Sequence, residues 1–101
     1  MKSYPIEEGV IALIKDDEIR EDSISFRVSL DNQILPCFCL ARKMKRKKFF
    51  IYVQFSDSES SRFIYVDNTT FSLLDLLPHF VQEALDIIEQ HNLLGESNNY
   101  D

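Results

Sequence analysis

Apolar residues follow two different rhythms along this chain. From Ser23 to Leu30 they alternate strictly, with Ile24, Phe26, Val28 and Leu30 on one side and Ser23, Ser25, Arg27 and Ser29 on the other. That is the period of a β-strand with one buried face. Val10 to Ile14 is a short continuous apolar run between Gly9 and Asp16-Asp17-Glu18, and it also reads as a strand. Ile34 to Arg42 and Phe49 to Phe55 are two further strands, and Arg62 to Val66 a fifth. Asp31-Asn32-Gln33 supplies a turn, and Ser56 to Ser61 a polar loop. Beyond Asp67 the period becomes helical. Leu77, Phe80, Val81, Ala84 and Ile88 line one side, while Gln82, Glu83, Asp86, Glu89 and Gln90 line the other. An N-cap at Asp75 puts Pro78 in the first turn, where its missing N–H costs little. Asn92 and Gly95 mark the stop. Thr70 to Leu74 forms a separate turn, and Phe71, Leu73, Leu74, Leu76 and Leu77 plug one end of the core.

The expected fold is α+β: a four- to five-stranded antiparallel sheet with one C-terminal helix packed on one face. A single domain spans residues 1–101, with a flexible arm at 1–8, loose or tied to the sheet edge, the sheet at 9–67, a helical segment at 70–94 and a flexible tail at 95–101.

Paired residues share a face, so a slip of one residue exchanges faces. Pairing Lys43 with Lys48 sets Leu40 against Ile51 and Phe38 against Val53. A six-residue loop at 56–61 sets Val53 against Ile64 and Tyr52 against Tyr65, and a three-residue turn at 31–33 sets Phe26 against Phe38. The helix-facing side then carries Ile24, Phe26, Val28, Phe38, Leu40, Ile51, Val53, Phe55, Ile64 and Val66. The opposite side carries Ser25, Arg27, Cys37, Cys39, Phe50, Tyr52, Phe63 and Tyr65. One helix covers one side of a sheet. The rings of Phe50, Tyr52, Phe63 and Tyr65 are therefore expected to lie open, on the order of a few hundred Å² of apolar surface.

Composition narrows the class. A chain of 101 residues, 45% hydrophobic, is long enough for one core and too apolar for a disordered segment. Its two glycines, Gly9 and Gly95, leave no glycine-rich phosphate-binding loop. Met1 to Glu8 lacks the apolar stretch of a signal peptide, and no apolar run reaches membrane-spanning length. Cys37 and Cys39 lie two apart on one strand, a poor geometry for a disulfide. The cytoplasm is the expected compartment, with no membrane partner.

Charge changes the picture more. Net charge is −6, yet Arg42-Lys43-Met44-Lys45-Arg46-Lys47-Lys48 holds six of the 11 basic residues, leaving five against 17 acidic ones elsewhere. A cationic hairpin tip thus stands on an anionic body. Such a cluster concentrates positive potential for a phosphate or an acidic partner. It equally serves as a solvated guard against edge-to-edge pairing.

Candidate chemistry is sparse. Cys37, Cys39, His79 and His91 fit no zinc-finger spacing. In this register a Cys–His pair would need a thiol near His79, across the sheet, and no nucleophile elbow is present. Both histidines fall on the polar side of the helix or beyond its end. Glu18, Glu21 and Asp22 around Arg20 read as a solvated acidic connection. No catalytic residue, metal or cofactor is expected, and the chain reads as non-enzymatic.

The expected function is a small protein-interaction module of inhibitor, immunity or assembly-adaptor type, binding a protein partner or a second copy of itself. Arg27, Phe50, Tyr52, Phe63 and Tyr65 would form the docking or dimer face. Arg42, Lys43, Lys45, Arg46, Lys47 and Lys48 would steer the partner. The alternative is a single-stranded nucleic-acid binder, with bases stacked on the same rings and the tip following the phosphates. The strands-then-helix order over residues 23–94 is similar in layout to the Pur-type and Whirly-type single-stranded DNA binders, with no motif shared residue by residue. That resemblance implies nucleic acid as the partner; the acidic body favours protein.

Overall fold

Charged and turn-forming connections cut the chain ahead of its helix into short strands. The structure is a computed structural model that describes the backbone of residues 1–67 and 72–98, with side chains to residue 92. It contains β1 (Lys2–Glu7), β2 (Val10–Ile14), a 3-10 turn (Asp16–Glu18), β3 (Ser23–Leu30), β4 (Gln33–Ile34), β5 (Phe38–Lys43), β6 (Lys48–Gln54), β7 (Glu59–Tyr65) and α1 (Leu77–Asn98). The strands form one antiparallel sheet in the order β1-β2-β3-β5-β6-β7, with β4 pairing β3.

The α+β class therefore holds, with a larger sheet than the expected four or five strands. The extra edge strand is β1, drawn from residues expected as an arm. Tyr4 lies opposite Ala12, and both Tyr4 and Ile6 pack against the core. Pro5 is tolerated because an edge strand has one side free of partners.

Two turns fix the N-terminal half. Gly9 adopts φ 79°, and a Cβ there would stand 2.6 Å from Asp31 Oδ1, so both backbone and space require glycine. Asp31 and Asn32 have φ 49° and 71°, the two left-handed positions of a tight hairpin joining β3 to β4. Glycine is the easier residue at the second position. Asparagine tolerates this region and alanine does not, so Asn32→Ala is expected to lower stability by about 1 kcal/mol, read as a lower urea midpoint with unchanged slope.

The register of β5 differs from expectation by one residue, which corrects the assignment of its faces. The β3–β4 hairpin pairs Leu30 with Gln33 and Ser29 with Ile34, and Leu35 N–H donates to Val28 O at 2.9 Å. Pro36 then has no N–H to continue the ladder. Pairing resumes at Phe26↔Cys39, two residues further along the second strand. Across the basic tip Lys43 pairs with Phe49 rather than Lys48. The additional residue is absorbed by Lys47, at φ 63°, in a turn closed by Lys48 N–H donating to Lys45 O at 3.1 Å. Cys37, Cys39 and Ala41 consequently face the helix and are buried, while Phe38 and Leu40 face away from it.

The β6–β7 pairing is also displaced: Phe49, not Val53, lies opposite Ile64. This displacement is four residues. An even shift preserves faces, and Phe50, Tyr52, Phe63 and Tyr65 stay on the side away from the helix.

A reciprocally bonded turn precedes the helix. Ser72 N–H donates to Asp75 Oδ2 at 3.4 Å, and Asp75 N–H donates to Ser72 Oγ at 3.2 Å. These bonds close the turn over 73–76, and Asp75, expected as the N-cap, lies in that turn two residues before α1 begins at Leu77. The turn leads into α1, with Pro78 in its first turn, and the helix runs past Asn92 and Gly95 to Asn98. Residues 68–71, including Phe71, and residues 99–101 lie outside the described residues. Leu77, Phe80, Val81 and Ala84 bury against Phe26, Phe49, Ile51 and Val53, and the Phe80 ring lies 5.3 Å from that of Phe49. Arg62 of β7 donates to Glu83 Oε1 at 3.1 Å and to Gln90 Oε1 at 3.2 Å. Gln82 donates to Glu7 Oε1 of β1 at 3.0 Å. One helix reaches both edge strands, so the sheet curls around it.

Candidate interface on the open sheet face

The side of the sheet turned from the helix is built by alternation within each strand. β3 contributes Ser25 and Arg27, β5 contributes Phe38, Leu40 and Arg42, β6 contributes Lys48, Phe50 and Tyr52, and β7 contributes Ser61, Phe63 and Tyr65. The sheet brings together all five residues expected there: Arg27, Phe50, Tyr52, Phe63 and Tyr65. The face is more apolar than the sequence indicated, because Phe38 and Leu40 join it where the two cysteines were expected.

The rings form a contacting set. Phe50 lies 5.4 Å from Phe63, tilted by 55°, and 6.4 Å from Tyr52. Phe63 and Tyr65 are 51% and 72% exposed, so the face is most open along β7. Cations sit among the rings. Lys48 Nζ lies 4.3 Å from the centre of the Phe63 ring, and the Arg27 guanidinium 5.6 Å from that of Phe38. Arg42, opposite Phe50, points to the same side. Glu59 is the one carboxylate on the strand positions of this face. The Tyr52 hydroxyl donates to it at 2.5 Å, and that bond raises the tyrosine pKa. On a chain of net charge −6, this face carries three cations against one carboxylate.

The basic tip splits between faces. Arg42 and Lys48 belong to the aromatic side, and Lys43 to the side of Phe49. Met44, Lys45, Arg46 and Lys47 form the exposed turn. Among the described residues, Lys47 is the tip cation that reaches a carboxylate, Asp67 at 4.0 Å. The other side chains remain available to an external anion.

The cysteines are relocated. Burial pushes the Cys39 thiol up to about 12 and raises that of Cys37, with Arg27 opposing weakly in both. Neither resembles an activated thiolate. His91, expected on the solvated side, is half-buried and stacked 3.7 Å over the Phe55 ring, with Nε2 3.8 Å from Asp57 Oδ1. Cys37, Asp57 and His91 line one shallow cavity of about 290 Å³. Sequence reasoning missed this convergence because it placed the thiols on the other face. Among the described residues, no three His, Cys, Asp or Glu side chains converge as metal ligands. His79 stands exposed on α1.

The buried thiols give a pH signature. In the unfolded chain Cys39 ionises near 9, but in the fold it stays protonated to about 12. The folded state then holds the extra proton, so stability falls as pH rises. The Cys39 contribution has an expected slope of about 1.4 kcal/mol per pH unit across that window, and Cys39→Ala should make the alkaline fall shallower by that amount in urea titrations, leaving the contributions of Cys37 and Tyr52.

No helix among the described residues is long and apolar enough to cross a membrane. The chain matches no protein-family model, and comparison with curated proteins and with solved structures returns no match.

Proposed function

We propose that this protein is a non-enzymatic interaction module that docks an anionic protein surface on its open sheet face, with the basic hairpin tip steering the approach. The observation that carries this reading is the mixture on one face: contacting rings interleaved with Arg27, Arg42 and Lys48, on a body otherwise dominated by acids. Aromatic residues and arginine dominate interface energetics, and flanking cations accelerate encounter with an acidic partner. A second copy is a poor occupant for this face. Face-to-face stacking would bring six cations into one interface with only the two Glu59 carboxylates from these strand positions, at a cost of like-charge repulsion. Two unpaired thiols accord with a reducing compartment, and we assign the protein to the cytoplasm.

A second reading, single-stranded nucleic acid, is favoured by the same cations, since Lys48 and Arg27 sit where a phosphate backbone would run beside stacked bases. The two are separated by titrating a labelled oligonucleotide at low and moderate salt. The protein-partner reading expects no oligonucleotide binding at low salt, and capture of an acidic protein that Tyr52→Ala/Tyr65→Ala abolishes. Oligonucleotide binding that this double variant eliminates replaces it with the nucleic-acid reading.

A further inference from the structure

The two edges of the sheet are built differently. β1 carries Pro5 and a bulge between Pro5 and Glu7, features that keep an edge from being extended. β7 has no proline, glycine or bulge, and pairs along β6 without a break from Lys48↔Tyr65 to Gln54↔Glu59.

The phase of that ladder identifies the main-chain groups left over. Val66 N–H donates to Lys47 O at 2.8 Å at one end, and Phe55 N–H to Ser58 O at 2.8 Å at the other. Hydrogen-bonded pairs alternate along an antiparallel ladder. Ser60, Arg62 and Ile64 therefore bond to β6, whereas Glu59, Ser61, Phe63 and Tyr65 turn their N–H and C=O groups outward. Among the described residues no strand lies beyond β7.

We propose that this edge is filled by β7 of a second copy of the chain, antiparallel about a two-fold axis at Arg62. In that register Glu59 of each copy faces Tyr65 of the other and Ser61 faces Phe63, so every outward donor and acceptor on both strands is used. The two Arg62 side chains meet on the helix side, where each guanidinium is already paired with its own Glu83 at 3.1 Å. The contrast between edges selects a second copy over a foreign peptide. Joining open edge to open edge leaves only the Pro5-bearing strands outside, so the assembly closes at two chains. The axis runs perpendicular to the sheet, which merges the aromatic faces into one and places the exposed Phe63 and Tyr65 at its centre. This pairing stands whether or not the face docks an anion.

Light scattering on a sizing column should give twice the 11.9 kDa chain mass. Ser61→Pro deletes an outward N–H and leaves the β6 ladder untouched. It should weaken the dimer on the order of tenfold to a hundredfold, from two lost main-chain hydrogen bonds per dimer, with an unchanged far-ultraviolet spectrum. Hydrogen exchange on the unaltered chain needs no variant: the Ser61 and Phe63 amides should be protected at high concentration and released on dilution, while Ser60 and Arg62 stay protected throughout. A single-chain mass at millimolar concentration, a dimer indifferent to Ser61→Pro, or fast exchange of Ser61 and Phe63 at every concentration would each overturn the proposal.

Discussion

Truncating Phe80 to alanine is expected to destabilise the protein by about 3–5 kcal/mol, a large share of the roughly 5–15 kcal/mol that holds a domain of this size together. Phe80 has no exposed surface, and its ring contacts Phe49 in the layer between α1 and the sheet. Removing it loses the transfer energy of the ring and leaves a cavity that the sheet beneath cannot fill. Phe63→Ala is the matched control. It deletes the same atoms from a side chain already 51% exposed, so its expected cost is under about 1 kcal/mol. Urea unfolding of the two variants, at a concentration low enough to keep each chain single, reads the difference. Equal costs would mean that the face away from the helix is covered and contributes to the core, and the proposed interface would fall with that result.

The second large effect concerns kinetics. Replacing Lys43, Lys45, Arg46 and Lys47 with serine should slow association with an acidic partner by about ten- to a thousandfold at low salt, and flatten its ionic-strength dependence. These side chains are exposed, and among the described residues the one ion pair they make, Lys47–Asp67 at 4.0 Å, lies in solvent. Such a pair contributes little to stability, so the melting temperature should hardly move. Arg42 and Lys48 are left in place because Lys48 packs over the Phe63 ring, which keeps a charge effect separate from a packing effect. A drop of several degrees in melting temperature would mark the turn as structural instead.

Where one strong period governed a segment, the sequence was readable. The alternation of Ile24, Phe26 and Val28 specified both strand and face, and Leu77, Phe80, Val81 and Ala84 specified the buried stripe of α1. Phe50, Tyr52, Phe63 and Tyr65 could be placed correctly even though the β6–β7 pairing was displaced, because the displacement was even. β5 failed for the opposite reason. Its register depends on a detour around Pro36 and on a lysine in a left-handed turn, and nothing in composition marks Lys47 as that residue. One odd shift exchanged Phe38 and Leu40 for Cys37 and Cys39, and with them the surroundings of His91. β1 was read only as an arm, loose or tied to the edge, because Lys2, Pro5 and Glu7 mask an alternation carried by only two apolar side chains, Tyr4 and Ile6. The free row of amides along β7 was invisible to pattern reading, since it follows from hydrogen-bond phase rather than side-chain type.

The order of the strands also bears on synthesis. Apart from the short β4 branch, each strand lies beside the one translated just before it, so successive hairpins can close as the chain leaves the ribosome, with little loop entropy to overcome. The helix emerges afterwards. Until it docks, Phe26, Phe49 and Ile51 stand naked on one side of a sheet whose other side is already aromatic. A nascent chain at that stage exposes apolar surface on both sides, the condition under which holdase chaperones are most needed.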